Sequence, residues 1–374
     1  MNYFTITFYK ALNYGAFLQC FALQKKIEKS NVLAIRQDFL SHIKKQHPFI
    51  WPIFLVLFYL KKNIKKIIIP LLNDWQKIKS IECSNFSECE SVLKEKSIIV
   101  IGSDQVWNPD FTPNMEKFYF ADFAGNKIHR ISYAASLGKN RWPEEFEKKV
   151  IPLLKKFDAI SVREETSVSY LKELGIKDVV CVCDPTILHK ADFYRSNFCY
   201  KQIPSEFIFV YRIREKISNS IQSIFCNQVN EVYLQNRKSI VSVSKWLQYI
   251  DCSKFVVTDS FHCVVFCLLF HKPFLVILNQ SKKIEMNERF STLLGIVGLE
   301  YRCLVGNENP EKIEKLLNTV IDWQKVDLIL DEWRKKSSNW LKQSLRMSSS
   351  NISNPSAHYG EAYKEVKTKN TSND

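Results

Sequence analysis

Short apolar runs alternate along this chain with longer stretches whose apolar positions recur at helical spacing. That alternation predicts α/β layers, in which buried strands are joined by helices. "YFTITFY" (Tyr3–Tyr9) predicts a first strand. "NYGAFLQCFALQKKIEK" (Asn13–Lys29) opens on a turn signal and predicts a helix. Phe17, Cys20, Phe21 and Gln24 follow helical spacing, and the lysines fall late, where the helix dipole favours cations. "VLAIRQ" predicts a second strand, and residues 41–80 break the rhythm like an insertion. Beyond them, Ser87 and Glu90 fit a capping box. "SIIVIGSDQVW" is a strand running into a loop. "HRISYAAS", a helix near Pro143–Phe157, the strand "DAISV", the helix "EETSVSYLKELG" and the strand "DVVCVCDPT" follow.

Polar, irregular sequence at Ala191–Glu206 marks a domain boundary. A second series follows: strand "FIFVYRI", a helix over Glu215–Asn227, strand "EVYLQN", helix "VSKWLQYI", strand "KFVVTDS", helix "CVVFCLLF" and strand "PFLVIL". Helices near Glu288–Val297, Glu311–Asp322 and Asp331–Leu345 close it. A chain of 374 residues exceeds the size at which one core usually splits. The expected organisation is a domain over 1–195, carrying the insertion 41–80, a second over 196–346, and a disordered tail over 347–374. Both domains are Rossmann-like α/β units with parallel sheets, and their loops face a central cleft.

Charge changes this picture in one place. The formal net charge is +14, which first suggests nucleic acid. Residues 41–80 hold eight Lys and one Asp, half of that excess, around the apolar run Pro48–Leu60. Thirteen apolar residues fall short of the roughly 20 that span a bilayer. The segment, including 44–66, reads either as a core helix with a solvated lysine rim or as a stretch lying on an anionic membrane face. The charge lacks interleaved aromatics for stacking bases, so nucleic acid is not an expected partner. Eleven cysteines include no Cys-x-x-Cys pair. Cys181, Cys183, Cys263 and Cys267 read as small buried hydrophobes, and no metal site is expected. The opening residues carry no secretory signal, so a cytoplasmic protein is expected, at most touching the inner membrane face.

The polar motifs fall at the ends of strands. Asn13, Tyr14 and Gly15 join the first strand to the first helix, where glycine permits close approach and a helix amino end favours an anion. "GSDQVWNPD" puts Ser103, Asp104, Gln105 and Asn108 beside the indole of Trp107. That is either a sugar-holding fan or a loop scaffold. Arg163, in Arg163-Glu164, and Arg212 with Arg214 follow two further strands, and Asp184-Pro185-Thr186 follows another. Arginine suits bidentate contact with phosphate or carboxylate, and only one of Arg212 and Arg214 is expected to face the cleft. Asp259, Ser260 and His262 end the strand "KFVVTDS". Imidazole titrates near neutrality and suits proton transfer. No Walker loop, G-x-G-x-x-G, G-x-S-x-G or H-E-x-x-H accompanies these residues.

Asn13-Tyr14-Gly15-Ala16, "IVIGSDQVWNPD", "KIHRISYAASLG", "FDAISVREETSV", "CDPTILHKADFY", "VVTDSFHCVVFCLLFHKPF" and "RFSTLLGIVGLEYRCL" occur in this order over most of Met1–Leu304. In that order they resemble the polysaccharide pyruvyl transferase family. The resemblance implies a GT-B-like fold of two Rossmann domains. It implies transfer of pyruvate from phosphoenolpyruvate, as a cyclic ketal, onto a sugar of a surface polysaccharide (capsule, exopolysaccharide or O-antigen) or its lipid-linked precursor. Phosphoenolpyruvate is then a substrate, and no cofactor is needed. His262 falls on the family's histidine, the general acid, with Asp259 beside it as a catalytic candidate. Lys282 falls near a family lysine that holds phosphate or carboxylate, and Asn13, Gly15 and Arg212 or Arg214 match donor-site positions.

Three departures stand out. Cys263 replaces the motif's glycine, Ser260 stands where one version has arginine, and the stretch Tyr211–Thr258 is short. A nucleotide-sugar glycosyltransferase of the same pathway and a non-catalytic carbohydrate-binding relative are the alternatives.

Overall fold

A computed structural model of the chain describes residues 1–11, 13–35, 71–201, 206–213, 232–233, 241–278, 287–305 and 310–346. Among these, twelve strands form two all-parallel sheets. The first holds β1 (Asn2–Ile6), β2 (Ser30–Ile35), β3 (Ser80–Cys83), β4 (Ser97–Ile101), β5 (His129–Ala135), β6 (Ala159–Val162) and β7 (Val179–Cys181), in the order 3-2-1-4-5-6-7. The second holds β8 (Ile208–Tyr211), β9 (Val232–Tyr233), β10 (Phe255–Thr258), β11 (Phe274–Ile277) and β12 (Cys303–Leu304), in the order 12-11-10-8-9. Parallel strands require crossovers, and helices supply them. The helices are α1 (Tyr14–Lys26), α2 (Phe86–Val92), α3 (Glu144–Leu154), α4 (Glu165–Glu173), α5 (Ala191–Phe198), α6 (Val243–Cys252), α7 (Phe261–Leu269), α8 (Glu288–Val297), α9 (Pro310–Asn318) and α10 (Trp323–Ser344), besides short turns of helix.

Each sheet reverses its strand order once. β2 and β3 lie on one side of β1 and β4 on the other; β9 lies on one side of β8 and β10 on the other. Connections leave such a switch point in opposite directions and open a crevice at the strands' carboxyl ends. The strands are covered on both faces, which is why β4, "SIIVI", reads as an apolar run after Ser97 and is buried throughout. Along β8 the faces differ. Phe209 and Tyr211 join a main core that continues from Phe4 to Trp340, while Ile208 and Val210 meet Leu275, Ile277, Ile313 and Leu316 beneath α9.

Several expectations shift. The capping box sits two residues earlier: the Glu88 N–H donates to Asn85 Oδ1 (2.9 Å), and the Ser84 N–H donates to Glu88 Oε2 (2.6 Å). Asn85 is extended and Phe86 begins the helix, so Ser87 is already inside it. The boundary stretch holds a helix, α5, because Tyr194 and Phe198 bury one face of an otherwise polar segment. Its Arg195 clamps Asp251 of α6 through two bonds of 2.8 and 2.9 Å. β3 forms at the end of the expected insertion. The run Pro48–Leu60, the helix Glu215–Asn227 and the tail lie outside the described residues.

The last helix returns to the first sheet. Ser337 Oγ accepts the Cys183 N–H at 3.0 Å, Arg334 donates to the Ile187 carbonyl, and Trp340 packs near Tyr133. At its end, His129 of β5 contacts the Ser344 carbonyl through Nε2 (2.8 Å) and Asp158 through Nδ1 (2.8 Å). Burial alone would lower the His129 pKa, but Asp158 and the carbonyl raise it above its ordinary value. Burial would raise the Asp158 pKa, but His129 and the Arg130 N–H hold it low. A raised imidazole stabilises the fold fully below its unfolded pKa of about 6.5 and loses that contribution as pH rises through the folded value. The lowered carboxylate gives its contribution above about 3.9 and loses it as pH falls through its folded value. We therefore expect this clasp to contribute most between those limits. The melting-temperature difference between wild type and His129→Gln should shrink as pH rises from about 6 to 9; a constant difference would rule the clasp out.

Candidate active site

Both switch points carry the polar motifs, and two helix amino ends meet between them. Asn13 caps α1, its Oδ1 accepting the Gly15 N–H (2.8 Å) and the Ala16 N–H (3.3 Å). Ser260 caps α7 by accepting the Cys263 N–H at 3.4 Å. His262, in the first turn of α7, lies directly over Gly15: a methyl group built there would stand 1.9 Å from Nδ1. Glycine is required by contact here, since no larger residue leaves room for the ring.

On the other side of the imidazole stands Asp184, fully buried after β7. Its Oδ2 lies 3.5 Å from His262 Nε2 and accepts bonds from Ser103 Oγ (3.0 Å) and Arg163 Nη1 (3.1 Å). Its Oδ1 accepts from the Thr186 N–H (3.0 Å) and hydroxyl (2.7 Å). Burial alone would push the Asp184 pKa up. His262, Arg163 and the Thr186 N–H together hold it well below the usual carboxylate range. Arg163 also donates to Glu164 (3.2 Å) and lies 4.0 Å from Asp104, with its guanidinium over the Phe261 ring at 4.7 Å. Burial acts to lower its pKa, and the three carboxylates reverse that and raise it. One guanidinium thus faces three carboxylates, so this side of the site is acidic.

The second switch point is different. Arg212 follows β8 and is buried, with Nε 3.5 Å from Asp259 Oδ2. Its Nε and Nη1 are buried without a hydrogen-bond partner. A buried guanidinium left short of acceptors is costly unless a ligand supplies them. Asp259 Oδ1 accepts the Ile213 N–H at 2.7 Å, and Thr258 Oγ1 donates to the Tyr211 carbonyl at 2.7 Å, so the ends of β8 and β10 are locked together.

The structure separates the predicted residues. It brings Gly15, Ser103, Asp104, Arg163 and His262 into one cluster. The carboxylate reaching His262 is Asp184, while Asp259 faces Arg212. Trp107 is fully buried, stacked on Phe120 at 5.3 Å with its N–H on the Tyr119 carbonyl, so it supports the loop from within the core. Asn108 is buried and bonded to Gln105 (3.2 Å), and Gln105 borders a shallow surface depression with Glu164, Asn140 and Arg289. The Tyr14 hydroxyl accepts the Val241 N–H (2.9 Å) and donates to its carbonyl (3.0 Å), while its ring stacks on Trp246. Tyr14 therefore ties α1 to the second sheet. Cys263 is buried in α7. Arg214 and Lys282 lie outside the described residues. Sequence reasoning placed Asp184 at a strand end but did not select it for the site.

The family described as "Polysaccharide pyruvyl transferase" matches residues 13–281. No curated protein matches the sequence. Among solved structures, the S. aureus MnaA-UDP co-structure aligns with 94% of this chain and 99% of its own, at 15% identity and a TM-score of 0.50. UDP-GlcNAc 2-epimerase from Methanocaldococcus jannaschii aligns with 99% of this chain and 100% of its own, at 12% identity and a TM-score of 0.48. The first likeness shows the fold alone, a mixed α/β fold with parallel Rossmann-like sheets; the second carries no further weight.

Proposed function

The chain belongs to the polysaccharide pyruvyl transferase family, matched over residues 13–281, and from that premise we propose how its site performs the transfer. The enzyme moves a pyruvyl group from phosphoenolpyruvate to a polysaccharide. In the proposed mechanism the two sheets act as Rossmann-like domains, 1–195 and 196–346, opening onto one GT-B-like cleft. The donor lies on the Arg212 side and the sugar on the acidic side. The unpartnered Arg212 N–H groups carry this reading. Carboxylate and phosphate oxygens supply the acceptors they lack, and the amino end of α7 adds to the positive field. Arg163 is already surrounded by Asp104, Glu164 and Asp184 and serves mainly to hold those acids in place.

His262 protonates the methylene carbon of phosphoenolpyruvate, which becomes a methyl group. The electron pair of the double bond forms the new C–H bond and leaves an oxocarbenium-like centre at C2. A sugar hydroxyl attacks C2 and gives its proton to the neutral His262, which restores the acid. A second hydroxyl then displaces phosphate, which leaves with the remaining proton, and the product is a cyclic ketal. Removing a positioned acid of this kind costs about 100- to 10,000-fold.

Arg212→Gln tests the donor site. Loss of a charge-assisted contact worth about 1.5–3 kcal/mol raises the KM for phosphoenolpyruvate by roughly 10- to 100-fold. It also abolishes the rise in melting temperature that phosphoenolpyruvate produces in the wild type. An unchanged KM would remove Arg212 from the donor site, and stabilisation of the wild type by UDP-sugars but not by phosphoenolpyruvate would favour a glycosyltransferase.

The acceptor is proposed to be lipid-linked, with residues 44–66 resting on the inner membrane face. The charge around Pro48–Leu60 supports this, and among the described residues no helix is long and apolar enough to cross a membrane. Changing Lys61, Lys62, Lys65 and Lys66 to Gln should reduce flotation with anionic vesicles. Undiminished flotation would exclude an electrostatic contribution from them.

A further inference from the structure

We propose that Asp184 is the positioning residue of His262. It holds a fixed proton on Nε2, so that the proton given to the donor is carried by Nδ1, on the Gly15 side of the ring. The inference rests on the reading of His262 as the acid and adds which nitrogen acts and what orients it.

The geometry around Asp184 leaves little choice. Every contact of its carboxylate is a donor: Ser103 Oγ and Arg163 Nη1 on Oδ2, the Thr186 N–H and hydroxyl on Oδ1. The carboxylate is kept ionised by that surrounding charge. His262 Nε2 is buried, faces Oδ2 at 3.5 Å and has no other partner. A neutral imidazole must place its single proton on one nitrogen. A lone pair on Nε2 would face a carboxylate oxygen and be repelled, whereas an N–H there is attracted. The 3.5 Å separation exceeds a hydrogen bond, but such contacts are often long in the unliganded enzyme and tighten in the complex. With Nε2–H committed to Asp184, the nitrogen that exchanges protons is Nδ1. The same carboxylate stabilises the imidazolium that forms when Nδ1 is loaded. The charged groups facing this pair are Arg163, with Asp104 and Glu164 behind it.

Full-length protein labelled with 15N-histidine tests this by two-bond proton–nitrogen correlation at about pH 9, where imidazoles are neutral. The His262 signals are assigned by their loss in His262→Gln. The wild type should show the Nε2–H tautomer. Asp184→Asn removes the carboxylate charge that holds the proton on Nε2 while keeping the side chain's shape. The Nε2–H preference is then lost, and turnover falls by roughly 100- to 10,000-fold, since a wrong tautomer disables the ring without moving it. An Nδ1–H tautomer in the wild type would overturn the inference, as would Asp184→Asn with unchanged tautomer and turnover. The wild-type spectrum decides even if Asp184→Asn fails to fold. Unchanged turnover in His262→Gln would instead defeat the acid role and leave the measured tautomer as it stands.

Discussion

Replacing His262 by glutamine lowers phosphate release from phosphoenolpyruvate, measured with a glycan acceptor, by about 100- to 10,000-fold. Stabilisation by phosphoenolpyruvate is expected to persist in this variant, because the proposed donor site places the donor's charge on Arg212 rather than on the imidazole. Glutamine keeps a polar group over Gly15 and beside Asp184, so packing changes little, but its amide is not an acid that can give a proton to carbon near neutral pH. The two readouts therefore separate: binding is retained and chemistry is lost. A variant that binds the donor and turns over at the wild-type rate would remove His262 from proton transfer. One that loses both would make the ring part of donor binding.

The second large effect is at Gly15. Alanine there would put a methyl carbon 1.9 Å from His262 Nδ1, where real contacts do not fall below 3.0 Å. Either the ring or α1 must move by about an ångström. Forced overpacking of this kind costs roughly 1–3 kcal/mol. Alanine's better helix propensity returns at most about 1 kcal/mol. A misplacement of about 1 Å at the reacting group costs on the order of 100-fold in rate. Gly15→Ala is expected to melt lower and to lose about two orders of magnitude in turnover. Wild-type melting and turnover in that variant would mean that the ring does not work from this position.

Much of this arrangement was legible in the chain itself, for physical reasons that differ by element. β4 and β10 are buried on both faces and read as apolar runs, so their polar ends stood out. Ser103, Asp104 and His262 were found that way, Arg163 and Arg212 at the ends of β6 and β8, and Gly15 as the turn into α1; the role of His262 came from the family resemblance. β3 was missed because "SIEC" is a sheet-edge strand, half exposed, with little apolar signal. α5 was missed because Asp192, Arg195, Ser196 and Asn197 make it polar, and its inner face is carried by Tyr194 and Phe198, with Phe193 half-buried beside them. The partner of His262 was not legible either. Asp259 is near in sequence, but its position at the end of β10 turns it to Arg212, while the fold brings Asp184 from the end of β7. Trp107 shows a different limit: an indole in a polar loop reads the same whether it faces a ligand or the core, and burial decided it.

The central claim is that donor charge and proton source converge between the two switch points. A crystal structure of His262→Gln with phosphoenolpyruvate bound tests it most directly. The account predicts donor oxygens on the Arg212 guanidinium and the methylene carbon against the residue 262 side chain above Gly15. Donor density elsewhere, with Arg212 and residue 262 both untouched, would contradict it.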